Sequence, residues 1–346
     1  MIDDSIAISN KSMLMRIRAL FSKEFISYIG FGVKYNKYWA INIFYVLKYQ
    51  DWIRKFIKIK DIKQVVFYSY WFSSSTIALS LIKNKNLNLK YCTRVHGSDL
   101  YEEIHGFNSF PARQDVIENI NKIFSISENG KNHILQNYYI NLSKIGVSRL
   151  GVRSHSFLSK SLSNNTLHVV SCSSMISLKR IHLIIETLEY LKSQNIKIIW
   201  THIGDGYLRK NFEKRMLNII DENIQYNFLG MLSNNLVYSF YKNNNIDLFI
   251  NVSSSEGVPV SIMEAQSFGI PCIATDVGGN SEIVNFENGY LLSSTPSIEE
   301  ISRIFLNYYN TKTDWDNKRI KSLNNWEENY NSDKNYKQFV KELNQL

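Results

Sequence analysis

The 346-residue chain is predicted to be an α/β protein with two domains, on three observations. From Leu167 onward, short apolar runs alternate with helical stretches, which is the signature of parallel strands covered by helices. A looser version of the same alternation runs from Gln64 to Val152. Between the two lies a polar stretch from Ser154 to Asn165, rich in Ser and Asn, that reads as a linker. A chain of this length suits two cores better than one. The expected division is 1–160 for a first domain, 161–325 for a second, and 326–346 for a terminal polar helix.

In chain order, 41–60 reads as an amphipathic helix, Gln64–Trp71 as a strand and Ser73–Ile82 as the helix that follows it. Strands come next at Leu89–Val95 and Lys122–Ile126. The first ends in His96-Gly97-Ser98-Asp99, and the second in Ser127-Glu128-Asn129-Gly130 and a helix. Lys144–Val152 leads into the linker. The second half places strands at Leu167–Ser171, Ile196–Ile203, Tyr226–Leu229, Ile246–Val252 and Pro271–Ala274.

Composition narrows the class. Hydrophobic residues make up 44% of the chain, ordinary for a globular protein. Cys92, Cys172 and Cys272 lie far apart in or beside strands and read as reduced core residues without metal spacing. Asp314-Trp315-Asp316 has the form of a metal-binding acidic triplet, but it lies away from any strand end and reads as coincidence, so no metal is expected. The acidic opening, Met-Ile-Asp-Asp-Ser, is not that of a secretory signal. With no run of 18 apolar residues, no membrane-spanning helix is expected, and the location reads as cytoplasmic.

The net charge of +9 is unevenly placed. Lys11 to Lys60 holds eleven Lys or Arg against Glu24 and Asp51, an excess equal to that of the whole chain. Phe21, Phe25, Tyr28, Phe31, Trp39, Phe44, Trp52 and Phe56 are interleaved with these charges. Three readings fit: a solvated basic face over a packed aromatic core, a helix lying on an anionic bilayer, or a nucleic-acid patch. The last lacks any recognised module.

The richest chemistry lies between Asn251 and Val284. Ile246–Val252 is short and apolar, as a buried parallel strand is. Ser253–Gly257 is a small polar loop. Pro259 suits the first position of a helix, where its missing N–H costs nothing. That helix runs to about Phe268, with Gly269 able to close it and Pro271 unable to continue it. Ligands of open α/β sheets sit where such loops leave the carboxyl ends of strands. Free N–H groups from Gly257 through Val258 to Val260, together with the helix dipole, favour an anion there. Glu256 in the loop can reach a ligand. Glu264 falls on a polar stripe with Ser261 and Ser267, opposite Val260, Met263 and Phe268. A carboxylate there accepts two hydroxyls at once, as a vicinal diol requires. A second glycine turn, Gly278-Gly279, follows one βα unit later.

With its Glu256–Glu264 spacing, this run resembles the donor-binding segment of retaining, nucleotide-sugar-dependent glycosyltransferases, in particular glycosyltransferase family 4. The resemblance covers roughly Gln64 to Val284. It implies the GT-B arrangement, two Rossmann-like domains with parallel sheets facing a cleft, and a terminal helix that packs back toward the first domain. It also implies that Glu264 holds the ribose and Glu256 contacts the donor sugar. Ser173-Ser174-Met175-Ile176-Ser177-Leu178-Lys179-Arg180 aligns with the diphosphate loop. Lys179 is kept there, while Ser174 stands where many relatives have arginine, and Arg180 is offered as the second positive charge. His202-Ile203-Gly204-Asp205-Gly206 resembles the glycine turn at the donor, and Phe228-Leu229-Gly230 the place where backbone meets the base. Arg94-Val95-His96-Gly97-Ser98-Asp99 resembles the acceptor-side segment. There His96 is expected to face the donor sugar, and Asp99 to orient the acceptor or Arg94, or simply to cap the turn.

The resemblance implies transfer of a sugar from a nucleotide diphosphate, with UDP the default and GDP the other choice. The acceptor is a glycan or lipid-linked hydroxyl in bacterial surface-polysaccharide synthesis, and neither metal nor cofactor takes part. Family members usually open on a strand and a glycine-rich loop. No glycine-rich loop precedes His96 here, so the first domain reads as shortened: either it is reduced or the start of a longer protein is missing. A non-catalytic sugar-nucleotide-binding subunit and a GT-B-fold UDP-sugar epimerase stand as alternatives.

Overall fold

The computed structural model describes residues 29–59, 62–84, 88–101, 113–155, 157–162, 166–312 and 315–346. Several sequence expectations lie outside them: the basic segment from 11 to 28, Asp314 of the acidic triplet, and residues 156 and 163–165 of the linker. Two compact units divide the chain. The first comprises Met1–Ile126, Gly130–Val147 and Glu342–Leu346; the second comprises Ser127–Asn129 and Ser148–Lys341.

The first unit opens with helix α1 (Ile29–Ile57), which begins well before residue 41. Then come β1 (Val66–Ser69), α2 (Ser74–Lys83), β2 (Lys90–Val95), α3 (Arg113–Asn119), β3 (Lys122–Ser125), α4 (Glu128–Asn137) and β4 (Ile145–Val147). The four strands form one parallel sheet in the order β1-β2-β3-β4. Helix α1 packs on α2. It buries Val46 and Ile53 in a core shared with Leu79, Tyr91, Val116 and Ile123. Trp52 is exposed on its other side, stacked on Phe56. The C-terminal part of this helix therefore covers a core with one face and carries basic residues such as Arg54 and Lys55 on its exposed positions, with Lys58 exposed just past its end.

The second unit contains β5 (Thr166–Cys172), α5 (Ile181–Leu191), β6 (Lys197–Ile203), α6 (Arg209–Met216), β7 (Ile224–Phe228), α7 (Asn234–Asn243), β8 (Leu248–Asn251), α8 (Val260–Ser267), β9 (Cys272–Thr275), α9 (Asn280–Ile283), β10 (Gly289–Leu292), α10 (Ile298–Asn310), α11 (Trp315–Asn325) and α12 (Ser332–Leu343). Its sheet is parallel throughout, ordered β7-β6-β5-β8-β9-β10. This is the 3-2-1-4-5-6 order of a dinucleotide-binding fold, and its order reverses between β5 and β8. Apolar residues from β5, β6 and β8, such as Val169, Trp200 and Ile250, meet Ile184, Leu188 and Phe305 of α5 and α10 in the core.

Three expectations are corrected. Strand β10 has no counterpart among the predicted strands. Its Asn-Gly-Tyr-Leu-Leu stretch is too short to show a period, and it pairs only with β9 at the sheet edge. Pro259 is the N-cap of α8 rather than its first residue, since its extended backbone (ψ 121°) precedes the turn. The stretch after Trp326 is not one helix. Trp326–Tyr330 forms a π turn against α8, and a regular helix resumes at Ser332.

Candidate functional site in the second unit

The loops leaving β5 and β8 flank the point where strand order reverses. A parallel sheet gathers its βα loops at the carboxyl ends of the strands, and neighbours across the reversal part to leave a crevice. The two loops are tied together. Ser254 N–H donates to the Leu178 carbonyl at 2.9 Å. Arg180 adopts a left-handed backbone (φ 46°). Its guanidinium Nε donates to the Val252 carbonyl at 2.7 Å, and Nη2 to the carbonyls of Ser253 at 2.8 Å and Ser294 at 3.0 Å. Arg180 thus braces the loop after β8, with two of its nitrogens committed to backbone oxygens.

Lys179 and Glu256 meet across the crevice. Lys179 Nζ lies 2.6 Å from Glu256 Oε1, with side chains 19% and 11% exposed. Asn251 Nδ2 donates to the same oxygen at 3.2 Å, and Asn251 Oδ1 accepts from Ser253 N–H at 3.0 Å. A charge-assisted bond of this length between half-desolvated groups fixes the position of both. Behind it, Gly278 has a left-handed backbone (φ 55°). A Cβ there would stand 1.8 Å from the Glu256 carbonyl oxygen, so only glycine lets this turn approach the loop.

The start of α8 supplies donors. The N–H groups of Gly257, Val258, Val260 and Ser261 hold no hydrogen bond to any described residue. They cluster beside Glu256, where the helix dipole favours negative charge. Val260 itself is 42% exposed.

Glu264 lies on α8 but not on a solvated stripe. It is buried, as are Ser267, Met263 and Phe268, while Val260 is the exposed member of this turn. The polar and apolar sides expected from periodicity are therefore partly exchanged. Two side chains of α7, Asn234 and Tyr238, reach the Glu264 carboxylate. Both donate to Glu264 Oε1, at 3.0 and 3.3 Å. Burial pushes the Glu264 carboxyl above its ordinary value, and the Tyr238 and Asn234 bonds pull the other way.

The glycine turns converge on the other side of the crevice. Gly204 N–H donates to the Gly230 carbonyl at 2.8 Å. Gly204 (φ 139°) packs against Ser173, whose carbonyl oxygen a Cβ would meet at 1.9 Å. Gly206 lies against Met175 in the same way. Asp205 pairs with Arg209 at 3.0 Å, and Arg209 Nη2 donates to the Phe228 carbonyl at 3.2 Å. Ser174 is exposed at the rim.

Beneath this turn runs a network that motif reading did not find. Trp200 Nε1–H donates to Ser171 Oγ at 2.9 Å. Ser171 Oγ lies 2.8 Å from His202 Nδ1, and His202 Nε2 lies 3.0 Å from the Ser173 carbonyl. Because a carbonyl only accepts, Nε2 carries the proton and Nδ1 accepts from the serine. Burial brings the His202 pKa down to about 4, which keeps the ring neutral. The chain of bonds holds the Ser173 carbonyl against which Gly204 is packed. The alternation of side chains along adjacent strands was its only sequence signal.

In the first unit, Arg94, His96 and Asp99 stand at the end of β2, all buried. Asp99 caps the turn: Oδ1 accepts from His96 N–H at 2.6 Å and Oδ2 from Phe72 N–H at 2.7 Å. Arg113 Nη2 donates to the Asp99 backbone carbonyl at 2.5 Å. The His96 ring lies 4.2 Å from Trp71 and 4.7 Å from Tyr70, with neither ring nitrogen bonded to a described residue. Among the described residues, no group of His, Cys, Asp and Glu could hold a metal ion. No described helix is long and apolar enough to cross a membrane.

Residues 157–332 match the profile of the family described as Glycosyl transferases group 1. The chain is 24% identical over 238 residues to Protein CapJ of Staphylococcus aureus, covering 66% of this chain and 51% of CapJ. It spans about half the length of the curated relatives it matches. Its fold is that of the lipopolysaccharide outer core galactosyltransferase WaaB in apo form (TM-score 0.67, 16% identity, 89% of this chain and 81% of that one). It is also that of a TarM variant from S. aureus in complex with fondaparinux, α-GlcNAc-glycerol and UDP (TM-score 0.65, 20% identity, 88% and 59%).

Proposed function

The chain belongs to the glycosyl transferases group 1 family, and from that premise we propose that it moves a sugar from a nucleotide diphosphate to a hydroxyl of a glycan or lipid-linked acceptor. UDP is the first candidate donor base, in keeping with the UDP held by TarM. The proposed acceptor class is in keeping with the name of WaaB, a lipopolysaccharide outer core galactosyltransferase, and with a reaction in bacterial surface-polysaccharide synthesis. Transfer proceeds with retention, as the likeness to family 4 implies, and without metal or cofactor.

The observation that carries this reading is the Lys179–Glu256 pair at the strand-order reversal, 2.6 Å across, beside the unbonded N–H groups that open α8. In this reading the diphosphate lies over those N–H groups and Lys179, which take up charge as the nucleotide leaves. The leaving diphosphate accepts the acceptor's proton on the same face. Glu264 holds the ribose diol, and Glu256 a hydroxyl of the donor sugar. The exposed Leu229 and Met231, on either side of Gly230, offer apolar surface to the base. His96 and Asp99 belong to the acceptor side.

Thermal denaturation with UDP, GDP and ADP tests the donor site. At 100 times the dissociation constant, one nucleotide is expected to add about 2.7 kcal/mol, a rise of several degrees at roughly 2–4 °C per kcal/mol. Glu264→Ala abolishes the rise. No rise with any of the three refutes the donor reading.

Two observations favour a second reading, a nucleotide-binding subunit without transfer activity: Ser174 is neutral and Arg180 is committed to carbonyls. A chain that binds UDP yet releases none from any UDP-sugar in the presence of acceptor extract selects this reading.

Peripheral contact with the inner face of the cell membrane, through the basic segment, is part of the first reading. Flotation with anionic liposomes at low salt is expected to carry the protein upward, and the effect is expected to fade as salt rises. Protein that stays at the bottom at low salt removes this element.

A further inference from the structure

We infer that Asn234 and Tyr238 are positioning residues for the nucleotide's ribose: by filling Oε1 of Glu264 they leave Oε2 as the acceptor for the ribose hydroxyls. The inference rests on the reading of Glu264 as the ribose ligand and says how that ligand is set.

Asn234 and Tyr238 stand four residues apart on α7, so their side chains emerge on one face of the helix. Both reach the same oxygen of a residue 30 and 26 positions away in sequence. A carboxylate oxygen has two lone-pair sites. Oε1 is therefore saturated by Asn234 Nδ2–H and the Tyr238 hydroxyl. Oε2 accepts from no described residue. A glutamate only 5% exposed as a residue, with one carboxylate oxygen served and the other bare, suits a ligand that brings two donors to one point. A vicinal diol is such a ligand.

The arrangement is rigid on the protein side. The Tyr238 ring is flanked by the His155 ring at 4.1 Å and the Phe268 ring at 6.3 Å. His155 is itself stacked on Phe268, at 4.9 Å and 10° between planes. Ser267 Oγ–H donates to the Glu264 backbone carbonyl at 2.7 Å, securing the helix at the carboxylate. Rotation about the last bond of Glu264 would exchange its two oxygens. The two bonds from α7 hold that rotation in one setting. Their loss would leave the carboxylate in place but unoriented, with either oxygen free to take other donors.

The test compares UDP with 2′-deoxy-UDP and 3′-deoxy-UDP by calorimetric titration, or the guanosine series if thermal shift selects GDP. Wild type is expected to bind the deoxy forms on the order of 10- to 100-fold more weakly, the usual effect of removing a hydrogen bond to a charged acceptor. Asn234→Ala with Tyr238→Phe is expected to weaken UDP and to reduce the ribose preference to about threefold or less. Each single variant is expected to fall between. Tyr238→Phe keeps the ring against His155, so its fold is preserved, and melting without nucleotide checks this. Variants that weaken ribose and deoxyribose nucleotides equally, with the preference intact, overturn the inference. So does a wild type that binds UDP and the deoxy forms alike. A wild type that binds no nucleotide overturns the donor reading and the inference with it.

Discussion

Lys179→Met is expected to lower the rate of transfer by about 10²–10³ while weakening UDP binding by no more than about tenfold, judged by the loss seen when one preorganised donor to developing charge is removed. The reason is where the charge appears. In the bound donor the diphosphate shares its charge with the sugar ester, and on departure the terminal phosphate gains it. In the proposed donor site Lys179, paired with Glu256 at 2.6 Å, faces this point. Of the loops 173–180 and 252–259, its only cationic companion is Arg180, which is bound to three backbone carbonyls. In these two loops no second charge stands ready to replace Lys179. Methionine keeps the apolar stem, so the loop stays packed, but it leaves the Glu256 carboxylate facing the phosphates unopposed. Glu256→Gln in the same background separates the two effects: it is expected to restore nucleotide affinity and leave turnover low. Single-turnover release of UDP from the sugar nucleotide, with acceptor present, reads both numbers. A Lys179→Met chain that turns over within about threefold of wild type would show that Lys179 takes no charge in the transition state.

How much of this was legible in the sequence depends on the range of the interactions. The second sheet was legible because each of its inner strands is a short, largely apolar run between loops, a local pattern. The resemblance in motif assigned Lys179 and Glu256 to the donor, but not the ion pair between them. The setting of Glu264 was not legible either. Helical periodicity places Glu264 with Ser261 and Ser267 on a polar stripe, but it does not show that Asn234 and Tyr238 of α7 reach its carboxylate. Local spacing cannot report hydrogen bonds from side chains 30 and 26 residues upstream. The same limit applies to Arg180. Its charge was visible, but not the left-handed turn that aims its guanidinium at Val252 and Ser253. The Trp200–Ser171–His202 chain crosses adjacent strands and has no spacing of its own. Strand β10 was missed because an edge strand of four residues, with Tyr290 exposed, lacks the continuous apolar run that marked its neighbours.

Acidification from pH 7 to 4 is expected to affect the first unit little in the parent chain and to tilt its stability in opposite directions in two variants. Burial, with the nearby Arg94 charge, brings the His96 pKa from 6.5 down to about 4. Between those values the unfolded chain binds a proton that the folded chain refuses. Stability therefore falls as pH falls through that window, by about 3 kcal/mol in all at 1.36 kcal/mol per unit. Burial raises Asp99 from 3.8 to about 6, against the pull of the Phe72 and His96 amides. Here the folded chain binds the proton first, so stability rises as pH falls from 6 toward 3.8, by a similar amount. The two groups are three residues apart and joined by the His96 amide, and their contributions offset. His96→Phe keeps a ring against Trp71 and Tyr70, and removes two buried nitrogens that lack partners. Only the Asp99 contribution then remains, so the variant is expected to gain stability relative to the parent as pH falls. Asp99→Asn leaves His96 alone, and that variant is expected to lose stability over the same range. An amide has one acceptor oxygen for the two N–H groups that Asp99 now serves, so some loss is expected at pH 7 as well. Calorimetric melting of the three chains at pH 7, 5.5 and 4.5 reads the tilt as a difference from the parent, which cancels groups common to all three. Parallel profiles for parent and His96→Phe would mean that His96 titrates alike in the folded and unfolded chain, and so that its ring is not held neutral by burial between Trp71 and Tyr70.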